Sequence, residues 1–174
     1  MAIVVCALSR VPKMLEAHKP VKLISLLDPD TPFPVPQAHK PARHLQVKMH
    51  DIANDLPGHT APNGDIARDI IAFVSAWRRD APLLVHCYAG ISRSTATAFI
   101  SACLHNPNTD EEEIAQAIRA ASPTATPNER LVAMADAELG RGGRMSRAVA
   151  RIGRGFPTWP AIDEAEPFSI PSRF

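Results

Sequence analysis

One stretch constrains this chain more than any other: the passage from Leu83 to Leu104, where an apolar run enters a tight loop and leaves it as a helix. Leu83-Leu84-Val85 predicts a buried strand, and Thr95 to Leu104, built of small and apolar residues, predicts a buried helix. Between them stands His86-Cys87-Tyr88-Ala89-Gly90-Ile91-Ser92-Arg93-Ser94. A strand, a loop and a helix N-terminus in that order form an anion site. The loop's N–H groups point inward, and the helix macrodipole adds positive potential at the same spot.

The side chains set into this loop suit one chemistry. A free thiol titrates near about 8.5, and a helix N-terminus with a neighbouring cation depresses it toward a thiolate at neutral pH, so Cys87 reads as a nucleophile. Arg93, six positions on, carries a planar fork able to hold two oxygens of a phosphoryl group while sulfur attacks phosphorus. Gly90 permits the backbone angles and close approach that a cradle around a tetrahedral anion requires. Ser94 can donate a hydrogen bond to the sulfur as it departs from the intermediate.

Taken together, His-Cys-x-x-Gly-x-x-Arg-Ser over residues 86–94 resembles the signature of the cysteine-dependent protein tyrosine phosphatases. Its Tyr-Ala-Gly-Ile-Ser interior is most similar to the dual-specificity branch, in a bacterial-type chain. A second segment, Ser122 to Asn128, resembles that branch's Arg-Pro-x-x-x-Pro-Asn element through Pro123, Pro127 and Asn128. It departs from it at Ser122, which stands where the family has arginine, and at Met134 and Ala135, which replace Gln-Leu. The arginine's contact is then absent or supplied elsewhere. The resemblance spans roughly residues 2–140.

Bulk properties set the class. A chain of 174 residues fits one domain with a sizeable core, and 45% hydrophobic with 21% charged residues is globular. A net charge of +1 argues for neither nucleic acid nor membrane as a partner. Cys6, Cys87 and Cys103 are odd in number and lack both disulfide-framework and zinc spacing. The apolar start is too short for a signal segment, so a cytosolic location is expected, where a reactive thiolate stays reduced. The seventeen prolines gather at 29–41 and 157–171, marking irregular segments.

In chain order, Ala2 to Leu8 predicts a strand, and Ser9 can cap a short helix through Val11, Met14, Leu15 and His18. Val21 to Leu27 predicts a second strand. The proline loop 29–43 reads equally as a surface connection or, with His39, Lys40 and Arg43, as a rim of the active site. His44 to His50 alternates like a strand near the sheet edge, followed at once by Asp51. Asp65 reads as the cap of a helix whose apolar stripe runs to Trp77, a core residue. Thr109 or Asp110 with Glu112 or Glu113 has the form of a capping box. A further helix runs to a stop at Gly140. Arg141, Arg144, Arg147, Arg151 and Arg154 then recur as a basic stripe, either a solvated face or a docking patch for an acidic partner.

This order predicts one α/β domain with a mainly parallel sheet of four or five strands flanked by helices, over residues 1–154, and a Pro-rich tail over 155–174. The tail's aromatics, Phe156, Trp159, Phe168 and Phe174, are expected to lie on apolar surface. The resemblance implies hydrolysis of phosphomonoesters on protein or small molecules, phosphotyrosine first, with phosphoserine and phosphothreonine left open. In it Cys87 is the nucleophile, passing through a phosphocysteine intermediate. Arg93 and the loop of Tyr88, Ala89, Gly90, Ile91 and Ser92 hold the phosphoryl oxygens. Asp51, with Asp55 as the alternative, is the general acid, Ser94 assists sulfur departure and His86 is structural. Neither metal nor cofactor is expected, because the guanidinium and amides supply the positive field. Ile91, where phosphoinositide phosphatases tend to carry lysine, argues against a lipid headgroup. The other classes open to such a loop are a sulfurtransferase or arsenate-type reductase, and a phosphotyrosine-binding pseudophosphatase.

Overall fold

The computed structural model describes residues 1–37, 39–157 and 162–174. Alternating burial along the first strand, β1 (Ala2–Ala7), shows why it forms: Ile3 and Val5 face one side and Val4 and Cys6 the other, all buried. A short 3₁₀ turn, Leu8–Arg10, leads into α1 (Val11–His18), with Pro12 in its first turn where no N–H is needed. Ser9 does not cap this helix. Its hydroxyl donates to Glu164 instead, 2.6 Å away.

There follow β2 (Lys22–Leu27), β3 (Arg43–Lys48), α2 (Gly64–Ser75), β4 (Leu83–Cys87) and α3 (Arg93–His105). The helices α4 (Glu111–Ala121), α5 (Glu129–Glu138) and α6 (Arg144–Ile152) complete the helical layer, and β5 (Phe168–Pro171) ends the chain. The cap of α2 is Asn63, whose side chain accepts from the Ile66 N–H, and not Asp65; Asp110 caps α4.

The sheet order is β3-β2-β4-β1-β5, with β5 antiparallel to β1 and the other pairs parallel. α1 covers one face over Val4, Cys6, Leu23 and Leu84, while α2 to α6 cover the other. Among the described residues no helix is long and apolar enough to cross a membrane. Because four strands run in parallel, the ends carrying Ala7, Leu27, Lys48 and Cys87 share one edge of the sheet, and a ligand site belongs there.

The C-terminal segment is built into this frame. Phe168 and Ile170 face the core while Ser169 and Pro171 face solvent, the alternation of an edge strand with one buried face. Phe174 packs on the core and Phe156 is exposed, so the expected apolar cover holds for some of the tail's aromatics; Trp159 lies outside the described residues.

Of the arginine stripe, Arg141 is buried, while Arg144, Arg147, Arg151 and Arg154 are exposed, as a solvated face requires, and three of the five are paired with carboxylates. Arg141 and Arg144 both pair with Glu111, itself only 4% exposed, and Arg151 pairs with Glu112. The pairs of Arg144 and Arg151 clasp α6 to the acidic start of α4, and that of Arg141 fixes the turn before α6. The proline loop, too, turns away from the site. Lys48 sits over the Phe33 ring and donates to the Thr31 carbonyl, and none of the described residues of 29–43 lines the cleft below.

Candidate active site

Beyond the C-terminal edge of the sheet lies a cleft of about 520 Å³, with Cys87 at its foot. β4 delivers the cysteine and α3 begins six residues later, so residues 88–92 must turn back on themselves. Their carbonyls are held by three different segments. The N–H groups of Leu8, Ala165, Thr126 and Asn128 donate to the carbonyls of Tyr88, Ala89, Ile91 and Ser92 at 2.8–3.3 Å. Of the loop's own N–H groups, that of Gly90 is turned toward the Cys87 sulfur.

Gly90 makes the turn possible. Its φ is +76°, and a Cβ there would stand 2.9 Å from the Ala7 nitrogen and the Cys6 carbonyl carbon. The loop therefore lies directly on the end of β1.

The Gly90 N–H donates to the Cys87 sulfur at 3.3 Å, and the sulfur shares a hydrogen bond with the Ser94 hydroxyl at 3.1 Å. Burial pushes the Cys6 thiol up to about 12 and the Cys103 thiol upward as well, so these two rest as neutral core residues.

Arg93 enters the cleft with its side chain 4% exposed. Its Nη1 donates to Asp28 Oδ1 at 3.0 Å and to the Met49 carbonyl at 2.7 Å. Its Nε is buried with no hydrogen-bond partner among the described residues. One nitrogen thus anchors the fork, and Nε is left without a hydrogen bond among the described residues.

Asp51, just past β3, lines the same cleft. Its Oδ1 accepts from the Ser92 hydroxyl at 2.6 Å and the Asn128 amide at 2.8 Å, and its Oδ2 lies 3.9 Å from Arg93 Nε. Asn128 works in two directions, since its Oδ1 also caps α5 through the Leu131 N–H. Asp55 is turned away from the cleft. It is 84% exposed and paired with Arg130 Nη2 at 2.7 Å.

Sequence reasoning passed over Asp28, the anchor of Arg93, because beside Pro29 it reads as a turn residue. It also passed over Arg119. Where the related family element has an arginine, Ser122 is buried here. The loop that follows is held by Arg119, which donates to the carbonyls of Pro123, Ala125, Gly153 and Arg154.

His86 points to the opposite face of the sheet from Cys87 and is fully buried. Its Nδ1 lies 3.2 Å from the Cys87 carbonyl, which can only accept, so Nδ1 carries the proton. Its Nε2 then accepts from Ser25 Oγ at 2.6 Å, and Ser25 in turn accepts from His44 Nε2 at 2.7 Å. Burial is the first cause that lowers His86 to about 4 and His44 in the same direction, so the relay runs on two neutral rings.

A linkage effect follows. The unfolded histidine binds its proton near about 6.5, above the folded value of about 4, so the unfolded state takes up more protons between them. The stabilisation is fully present above pH 6.5 and is lost as pH falls toward 4, for a total of about 3 kcal/mol from His86. Ser25→Ala, which strands both ring nitrogens, should cost about 2 kcal/mol at pH 7. Urea unfolding at pH 7 and 4.5 checks both. Equal stability at the two values would show that His86 is not held neutral.

Comparisons with known proteins fall in line with this geometry. The family model described as Protein-tyrosine phosphatase matches residues 33–129, more than half of the chain. No curated protein matches the sequence. Among solved structures, DUSP15 is similar with a TM-score of 0.58 and 21% identity, covering 84% of this chain and 89% of its own. A mouse putative dual specificity phosphatase complexed with zinc tungstate gives 0.54 and 18%, covering 80% of each chain. The human tyrosine phosphatase-like serine/threonine/tyrosine-interacting protein gives 0.56 and 16%, covering 78% of this chain and 86% of its own. These structures share the fold, and the family match runs through the loop that cradles Cys87. The chain belongs to the protein-tyrosine phosphatase family and is a cysteine-dependent phosphatase.

Proposed function

We propose that this phosphatase removes phosphate from phosphotyrosine in proteins through a phosphocysteine intermediate. The observation that carries the reading is the Cys87 sulfur at the foot of an open cleft, beside the Gly90 amide and a guanidinium whose Nε has no hydrogen-bond partner among the described residues. In the first step the sulfur attacks phosphorus as the ester P–O bond breaks, and Asp51 gives its proton to the leaving oxygen. Both bonds to Asp51 fall on Oδ1, which leaves Oδ2 to hold that proton. In the second step a water attacks phosphorus and yields its proton to Asp51. The P–S bond breaks, and the Ser94 hydroxyl stabilises the departing sulfur. The amides of residues 88–93 and the Arg93 fork hold the phosphoryl oxygens throughout.

A transfer to a second protein thiol has less support. Cys103 is buried on α3 and Cys6 lies in the core of the opposite sheet face, so neither lines the cleft. A cytosolic location is part of the proposal, supported by three free cysteines.

The test is turnover of aryl phosphates that differ in leaving group. Proton donation matters most when the leaving oxygen is basic. Asp51→Asn should therefore slow phenyl phosphate about 10²-fold or more and a nitrophenyl ester far less. Asp55→Asn should behave like the parent protein, because its carboxylate is committed to Arg130 outside the cleft. If the steep leaving-group dependence follows Asp55 instead, the acid has been misassigned.

A further inference from the structure

We propose that the C-terminal segment Glu164–Glu166 is a strut for the anion cradle, and that its Ala165 N–H positions the amide that meets the Cys87 sulfur. This rests on the phosphatase reading of the cleft and adds to it a group that never touches substrate.

The strut acts on one peptide unit, Ala89–Gly90. Its carbonyl, on Ala89, accepts from the Ala165 N–H at 2.8 Å, and its N–H, on Gly90, donates to Cys87 Sγ at 3.3 Å. The unit is trans, and in a planar trans peptide the carbonyl and the N–H point in opposite directions. Holding the carbonyl therefore aims the N–H. Gly90 needs such a hold, because a residue without Cβ at φ +76° has a backbone with wide freedom.

The residues on either side keep Ala165 in place. Glu164 Oε2 accepts from the Ser9 hydroxyl at 2.6 Å and Oε1 from Arg10 Nε at 3.2 Å. Arg10 Nη2 also lies 3.6 Å from Glu166 Oε1. Ser9 and Arg10 belong to the turn after β1, whose Leu8 N–H holds the Tyr88 carbonyl. Two consecutive carbonyls of the loop are thus held by two segments that are tied to each other. Ala165 is only 3% exposed, which keeps bulk water from its N–H.

Strand β5 is the mount. Phe168 stands opposite Val5 and Pro171 opposite Ala2, so the antiparallel strand brings residues 164–166 to the end of β1 on which the cradle rests. Its far end is fastened as well. The Ser172 N–H donates to the Met1 carbonyl at 2.9 Å, and the Phe174 N–H to Asn106 Oδ1 at 3.0 Å. A segment that only covered the sheet edge would lower stability when disturbed and leave the cradle of the folded protein unchanged. A strut changes the cradle itself.

Full-length variants are compared with the parent protein by the Kd of tungstate from calorimetry, steady-state turnover of an aryl phosphate, and the thermal midpoint. Ala165→Pro removes the N–H and keeps an apolar side chain. It should weaken tungstate binding and lower kcat, each by about five- to tenfold, the size of one hydrogen bond. Glu164→Ala releases Ser9 and Arg10 but leaves the N–H, and should lower both by about two- to threefold. Glu164→Gln, still an acceptor for Ser9, should recover part of that loss. Ile170→Ala, which empties a core position on β5, should lower the thermal midpoint and leave Kd and kcat within about twofold of the parent values. Unchanged affinity and kcat in Ala165→Pro and Glu164→Ala overturn the strut and leave the phosphatase reading standing. An equal loss of affinity in Ile170→Ala does the same, since the segment is then only a cover. If Ala165→Pro does not fold, the two Glu164 variants decide by the same criterion. A parent protein that binds tungstate but turns over no aryl phosphate overturns the phosphatase reading, and the strut is then judged on affinity. One that does not bind tungstate overturns both.

Discussion

Cys87→Ser is expected to lower turnover of an aryl phosphate by on the order of 10⁴-fold or more while a tetrahedral oxyanion such as tungstate still binds. The neighbours of the sulfur explain why. Gly90 presents an N–H and Ser94 a hydroxyl, and no side chain placed to remove a proton touches it among the described residues. A serine hydroxyl, which would have to lose its proton during attack, finds no base beside it. The anion cradle depends on the loop's backbone and on Arg93, so binding should outlast the substitution. Steady-state rates together with calorimetric titration of the oxyanion decide the point. Turnover near that of the parent protein would remove Cys87 from the mechanism, and loss of both binding and thermal stability would make its role one of packing.

Arg93→Lys should be nearly as damaging as Arg93→Ala, each costing roughly 10²–10³-fold in kcat, because the guanidinium does two things at once. Nη1 is spent on Asp28 and the Met49 carbonyl, which fix the side chain, and Nε, without a hydrogen bond among the described residues, is the donor the proposed mechanism assigns to the substrate. An ammonium has one head. If it satisfies Asp28 and Met49 it no longer reaches the phosphoryl oxygens in a forked geometry, and if it reaches them the buried Met49 carbonyl loses its donor. The comparison is made on one substrate at saturating concentration. A lysine variant with a tenth or more of the parent rate would show that charge alone suffices there.

How legible these parts were in the sequence depended on how local they are. The strand, loop and helix around Cys87 could be read directly, because residues 83–104 form consecutive elements whose residue types agree with each state. The small residues of α3 suited a fully buried helix, and Gly90 suited a position with φ +76°. The parallel sheet could be read from apolar runs alternating with helical stripes. The edge strand β5 escaped notice, since four residues ending in proline are too short a pattern to stand out from a proline-rich segment.

What surrounds the loop is of another kind. Asp28 meets Arg93 across 65 positions, Ser25 meets His86 across 61, and Arg119 reaches the Arg154 carbonyl across 35. Nothing in the residue types near Asp28 separates a turn from an anchor for an arginine far along the chain. The arginine stripe shows the same limit. Its period predicts a helix face, but only the packing of α6 on α4 decides that Arg141, Arg144 and Arg151 are paired with carboxylates. By itself the sequence determined the strand–loop–helix cradle, because its amides and cysteine are set by backbone geometry within a few residues. The tertiary structure alone decided which side chains hold Arg93, Asp51 and Arg154 in place, because those partners depend on strand order and helix packing, and these bring together groups that are far apart along the chain.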